Sequence, residues 1–338
     1  MGGVEMHLLK IVIASLVSVL TGSAAASEPI KIRISWTAPV SNWASILLEK
    51  KDLARHYGKS YTLEPIRIGG TPPMIQALAN NELEIANLTY STVPIAIANA
   101  GMEDLRIIAD EFQDGVNNSY SNEFLVLKDS PIRSVHDLKG RVIGTNAVGS
   151  AVDIAGRAML RKNGLEDKRD YTVLETPFPA MRAMLAEKKV DLIPAVIPFS
   201  FDPALREIAR PLFTQKDAIG ESQMAVFVAR KAFIDKNRAA VVDFLEDFLR
   251  IARWYLDPAN HKEAAQIAAR FTKLPAERFE GWLFTQKDYY RDSGLVPNLD
   301  ALQKNIDLTK ELGFIRDTID VRKHSDLTLL QEASARLK

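Results

Sequence analysis

Four short stretches of this chain carry residues suited to holding a small anion: Trp36–Trp43, Gly69–Pro73, Thr89–Thr92 and Asn146–Ser150. Each follows a strand-like run and precedes a helical pattern. A helix N-terminus leaves backbone N–H groups unpaired and carries a partial positive charge, so an anion is favoured there. In Gly69-Gly70-Thr71-Pro72-Pro73 the glycines let the backbone approach a ligand closely, and Thr71 can cap the helix. Proline in the first turn removes a donor that would stay unpaired anyway. Gly149-Ser150 repeats the arrangement further along. Any one of these loops would serve equally well as a plain turn and cap. Four of them at equivalent places point to a cleft.

The same loops do not suit a nucleotide. Gly69-Gly-Thr-Pro-Pro lacks the Gly-Lys-Ser/Thr of a phosphate loop and puts prolines where donors are needed, and no Gly-x-Gly-x-x-Gly follows a strand. His7, His56, His136, His261 and His324 are scattered without a His-x-x-x-His pair, and neither Gly-x-Ser-x-Gly nor Ser-x-x-Lys occurs. The absence of cysteine excludes disulfides, thiol catalysis and zinc–thiolate sites. No cofactor, metal or catalytic activity is expected.

Strands alternating with helices must position these loops. Ile30–Ser35 alternates as a strand and leads to a helix over about Trp43–His56; a second strand spans about Thr62–Ile68. A helix over Pro72–Asn80, a strand over Leu83–Leu88 and a helix over Val93–Ala100 follow. The order restarts at the strand Arg141–Thr145, the helix Ser150–Asn163, the strand Tyr171–Glu175 and, past a further helix, Val190–Pro194. Such alternation implies a mostly parallel sheet. Pro72–Ile85 aligns without gaps to Pro179–Leu192, matching Pro72/Pro179, Met74/Met181, Leu78/Leu185 and Ala79/Ala186 among others. Two related α/β lobes are therefore expected. Glu123–Asp129 and Met224–Arg230, both apolar, would be the strands in which the chain crosses between lobes. Beyond Lys231 the chain reads as helical. Val241, Leu245, Phe248, Ala252 and Tyr255 recur at helical spacing and are expected in the core.

A length of 338 residues favours two lobes, and 47% hydrophobic with 25% charged residues is an ordinary globular balance. With 43 basic and 43 acidic residues the formal net charge is zero, which argues against a nucleic-acid partner. Lys10, the apolar run Ile11–Leu20 and the small residues Ala24-Ala25-Ala26 form the pattern of a cleaved signal peptide over residues 1–26. Export to the periplasm is expected.

Ile32-Arg-Ile-Ser-Trp36, Gly69-Gly-Thr-Pro-Pro73, Lys128-Asp-Ser-Pro-Ile-Arg-Ser-Val-His-Asp-Leu-Lys-Gly140 and the Gly149-Ser150 turn resemble substrate-binding proteins of nitrate/sulfonate/taurine-type ABC importers, pyrimidine-precursor-binding relatives included. The resemblance runs through the mature chain and is strongest from Gly69 to Leu192. It implies the α/β, two-lobed type II periplasmic binding protein fold: two mixed, mostly parallel sheets joined by two hinge strands and closing on a small molecule. The implied lobes are 27–122 plus 224–338, and 123–223. The implied ligand-binding residues are Trp36, Thr37, Asn42, Gly70, Thr71, Tyr90, Ser91, Gly149 and Ser150, with Pro198 and Phe199 after the Val190 strand. Relatives often carry an amide just after the first strand, where this chain has Trp36-Thr37. That departure, and the aromatic group Trp36, Tyr90, Phe178, Phe199 and Phe201, tilt the expected ligand towards an aromatic carboxylate or sulfonate. Trp43, inside a helix pattern, is expected in the core. The function implied is that of a monomeric periplasmic solute-binding protein that captures a small organic anion and delivers it to a membrane ABC permease. An enzyme on the same fold, such as a pyrimidine-precursor synthase, and a ligand sensor subunit are the alternatives.

Overall fold

The computed structural model of the chain describes Gly2 and residues 28–337. The expected signal segment, Gly2 apart, lies outside the described residues. The first sheet begins with β1 (Ile30–Trp36), β2 (Tyr61–Arg67) and β3 (Ile85–Thr89), and β1 pairs in parallel with both others. After β3 come β4 (Leu105–Asp114) and β5 (Glu123–Leu127), then β6 (Val142–Thr145) and β7 (Thr172–Glu175). The last three are β8 (Ile193–Ala195), β9 (Ala209–Thr214) and β10 (Ser222–Arg230). β10 returns to the first sheet and lies antiparallel between β3 and β4, giving the order β2-β1-β3-β10-β4.

The second lobe is built the same way. β6 pairs in parallel with β7, and β5 lies antiparallel between β8 and β9. The two groups meet where the Gly144 N–H donates to the Leu192 carbonyl at 2.8 Å, so the order is β7-β6-β8-β5-β9. A Cβ on Gly144 would sit 3.3 Å from that carbonyl and from the Ile193 side chain, a tight contact that the glycine avoids. In both sheets the fourth place belongs to an antiparallel strand from a chain crossing, β10 in one and β5 in the other. These are the segments expected as hinges. The aligned stretches around Pro72 and Pro179 each feed the third strand of their sheet, β3 and β8, and Met74, Met181, Leu78 and Leu185 are buried in both.

Burial explains the composition of the strands. β3 is buried at all five positions and β10 at all but its last, as sheets covered on both faces require. The helix Lys231–Leu256 covers the first sheet with the expected stripe, and Val241, Leu245, Phe248, Ala252 and Tyr255 are all buried. The Ser-Val-His-Asp stretch is structural: Ser134 and Asp137 form a capping box around the short 3₁₀ helix Val135–Leu138, with Leu138 buried.

Three elements depart from the periodicity. Trp43–His56 is two 3₁₀ helices, Trp43–Ser45 and Leu47–Leu53, with Lys50 outside helical geometry. The Asp247 carboxylate takes the N–H groups of Arg55 and His56, each at 2.8 Å, and so replaces the α-helical ladder by tertiary bonds. The Val93–Ala100 helix starts as a single α turn, Thr92–Pro94, and continues as a π-helix over Ile95–Asn99. β4 carries no strand pattern because its second half reads Asp110-Glu-Phe-Gln-Asp114, yet all five of these residues are buried.

Candidate functional site

Between the two sheets the carboxyl ends of β1 and β3 face the loops after β6 and β8, enclosing a cavity of about 60 Å³. The loop after β1 supplies Thr37, Ser41 and Asn42 to its wall. Asn42 organises this loop. Its Oδ1 accepts the N–H groups of Thr37 and Ala38 at 3.0 and 2.8 Å, and its Nδ2 donates to Glu111 Oε1 at 2.9 Å. Arg291 Nη2 donates to the Ser41 carbonyl at 2.9 Å. That guanidinium is buried, paired with buried Asp288 at 2.9 Å, and packed against the rings of Trp43 (5.3 Å) and Phe284 (5.2 Å). Trp43 is thus a core residue, as expected.

Glu111 lies beneath the loop with one oxygen, Oε2, unpartnered. Burial pushes its carboxyl up to about 8, against the pull of Asn42 and the Arg291 charge. Its neighbours Asp110 and Asp114 on β4 are pushed up to about 7, again by burial.

Two helices aim their N-termini at the cavity. Thr71 opens the helix Thr71–Ala79, and Ser150 caps Ala151–Lys162 by accepting the Asp153 N–H. Thr71, Ser150, Ala151 and Val152 all line the wall. Pro72 and Pro73 carry no N–H, so the first helix offers the N–H of Thr71 and the second those of Ala151 and Val152, none of which has an intrahelical acceptor. Thr71 Oγ1 lies 3.3 Å from Thr89 Oγ1, which lies 3.0 Å from the Ser91 hydroxyl. The Thr37 hydroxyl is buried with no hydrogen-bond partner. Phe112, Phe178, Met224 and Tyr289 supply apolar surface, and among the described residues no lysine, arginine or histidine lines the cavity. The arrangement offers hydroxyls and helix ends to a small, compact, electron-rich group.

The eleven expected site residues separate into three places. Thr37, Asn42, Thr71 and Ser150 line the cavity. Gly70, Tyr90, Ser91 and Gly149 form the seam where the lobes touch. There the Tyr90 hydroxyl donates to the Ala151 carbonyl at 2.6 Å and Ser91 Oγ to the Gly149 carbonyl at 2.9 Å. A Cβ on Gly70 would come within 3.1 Å of the Ala147 side chain, so close approach across the seam favours glycine there, whereas Gly149 holds a φ of +81° and answers to backbone geometry. Trp36, Pro198 and Phe199 line a separate outer groove. Asn87, Phe112, Met224 and Tyr289 are cavity residues that sequence reasoning missed. Asn87 alone left a trace, a polar residue in the middle of the apolar strand β3.

A profile described as the NMT1-like family matches residues 25–269 of the chain. The chain belongs to the NMT1-like family. A curated relative of this NMT1-like protein, named for binding aliphatic sulfonates and found in Escherichia coli (strain K12), is 24% identical over 323 residues, covering 94% of this chain and 95% of its own. Among solved structures, the alkanesulfonate-binding protein SsuA from Xanthomonas axonopodis pv. citri bound to MOPS aligns with a TM-score of 0.69 at 19% identity, over 89% of this chain and all of that one. The periplasmic nitrate-binding protein NrtA from Synechocystis PCC 6803 aligns with a TM-score of 0.71 at 15% identity, over 92% and 90% of the two chains. The NMT1-like protein shares their periplasmic binding protein fold. Among its described residues no helix is long and apolar enough to cross a membrane.

Proposed function

We propose that this NMT1-like protein is the solute-binding component of an ABC importer, and that it holds the anionic head of a small organic sulfonate or carboxylate in the interlobe cavity. The buried, unpartnered Thr37 hydroxyl carries the reading, because a buried polar atom left unpaired in a native protein calls for a partner. A volume of about 60 Å³ suits a head group, and the body of an aromatic ligand would have to extend outward. The fixed donors at two helix ends favour an anion without a counter-charge. The names of the relatives support a sulfonate first. In this reading residues 27–122 with 224–338 form one lobe and 123–223 the other, and they close about β5 and β10. A signal peptide over residues 1–26 exports the chain to the periplasm, where it acts as a monomer that delivers its ligand to a membrane permease. No catalysis is assigned to it.

Thermal melting of residues 27–338 with butane-1-sulfonate, benzenesulfonate, benzoate and neutral uracil tests the proposal. A ligand at 100 times its dissociation constant adds about 2.7 kcal/mol of stability. At least one anion should raise the Tm, and Thr37→Ala should weaken its binding about tenfold, the loss of one hydrogen bond to a charged group. Stabilisation by uracil and by none of the anions would sink the reading. Turnover of a bound anion into product would replace it with an enzyme.

A further inference from the structure

We infer that the groove on the outer side of the Trp36–Pro39 and Pro198–Asp202 loops is a second binding site, for an aromatic anion. It is distinct from the cavity: Ser41 Oγ donates to the Ile197 carbonyl at 2.7 Å, and the two loops so joined form the wall between them. The groove holds about 500 Å³, room for a fused-ring compound, whereas the cavity holds about 60 Å³.

Its walls are aromatic and come from three parts of the fold. Trp36 meets the edge of Phe271 at 5.8 Å, and Phe199 and Phe201 are each stacked from behind, by Phe178 at 6.0 Å and by Trp282 at 5.0 Å. These second rings hold the wall side chains in place, so little rotamer freedom is lost when a ligand ring enters. Leu274, 43% exposed, sits at the rim.

The charge of the groove selects the class of ligand. Arg67 and Arg278 line it with a single carboxylate, Asp202, which is shared by Arg278 at 3.3 Å and Arg182 at 3.0 Å. Arg67 lies 5.4 Å over the Trp36 ring and makes no ion pair among the described residues. An exposed guanidinium beside an aromatic wall offers a fork to a carboxylate or sulfonate whose ring lies along that wall. An uncharged hydrocarbon would leave this cation unused, and a cationic ligand would be repelled.

The test is calorimetric titration of residues 27–338 with naphthalene-2-sulfonate, with butane-1-sulfonate and 2-naphthol as controls. Naphthalene-2-sulfonate should bind the groove, and Arg67→Ala should weaken that event about tenfold while Arg67→Lys restores part of it. Arg67 is exposed and outside the cavity, so its replacement should leave butane-1-sulfonate binding unchanged. Conversely, Ser150→Ala should weaken a cavity ligand and spare the groove. Failure of the cavity reading thus shows in Ser150→Ala with the aliphatic probe, and failure of the groove in Arg67→Ala with the aromatic one. Equal affinities of wild type and Arg67→Ala for naphthalene-2-sulfonate would overturn the inference. So would loss of that event in Ser150→Ala, or binding of 2-naphthol as tight as the sulfonate.

Discussion

The two loops that face each other across the cavity are tied down by the same kinds of groups in different surroundings. In the first lobe the loop after β1 hangs on Asn42, Glu111 and Arg291. The Arg291–Asp288 side chains beneath it are 1% and 0% exposed. In the second lobe the loop before Ala151–Lys162 hangs on Asp153, which accepts the Gly149 N–H at 2.9 Å and pairs with Arg157 at 2.9 Å. Arg157 reaches on to Asp167, which is 31% exposed. Buried charges cannot be left unpaired, and Asp153 is itself only 3% exposed; the contrast lies at Arg157 and Asp167, 12% and 31% exposed, where water can partly replace a lost partner. The loop of the first lobe is therefore tied to the more deeply buried pair, and that of the second to a network that reaches the surface at Asp167.

The largest test of that contrast is removal of each arginine. Arg291→Ala should cost about 3–5 kcal/mol in urea unfolding, the penalty for stranding a buried carboxylate. Arg157→Ala should cost clearly less. Equal losses would erase the distinction between the two lobes.

A smaller effect follows from pH. The carboxyl of Glu111 is held at about 8, above its unfolded value, so the folded state keeps a proton that the unfolded chain has lost. Its contribution is full below about pH 4.5 and disappears as pH rises through about 8. Asp110 and Asp114, at about 7, act in the same direction. Glu111→Gln keeps an acceptor for Asn42 and should be more stable than wild type at pH 8.5, on the order of 2–4 kcal/mol, with no gain at pH 4. A gain independent of pH would contradict the assignment.

The smallest expected change is in the seam. Tyr90→Phe keeps the ring and deletes one interlobe hydrogen bond, worth about 0.5–1.5 kcal/mol. Apparent affinity for a cavity ligand should fall about three- to tenfold, while urea unfolding should lose no more than about 1.5 kcal/mol. Unchanged affinity would mean that this contact does not hold the lobes together.

Much of the fold was legible from local pattern. Strand alternation, the Gly69-Gly70 pair before Thr71, the Ser150 cap and the stripe from Val241 to Tyr255 each involve residues a few positions apart. Such signals survive in any tertiary setting. They placed four loops at strand ends and singled out Thr71 and Ser150, and the family resemblance added Thr37 and Asn42; all four line the cavity. β4 escaped notice because a polar run normally signals exposure, and here the carboxylates are buried under the site.

The sequence by itself determined the alternation of strands and helices, the donors at the helix ends and the absence of thiol chemistry. Only the tertiary structure decided that Arg291 grips the carbonyl of Ser41, 250 residues away, and that Tyr289 closes the cavity. It also decided that Trp36 and Thr37, adjacent in the chain, serve different pockets. Successive residues leaving a strand point to opposite sides, and the loop from Pro198 to Asp202, far along the chain, provides the other wall of the outer pocket. Periodicity reports which residues are buried; which of them meet is settled by long-range packing.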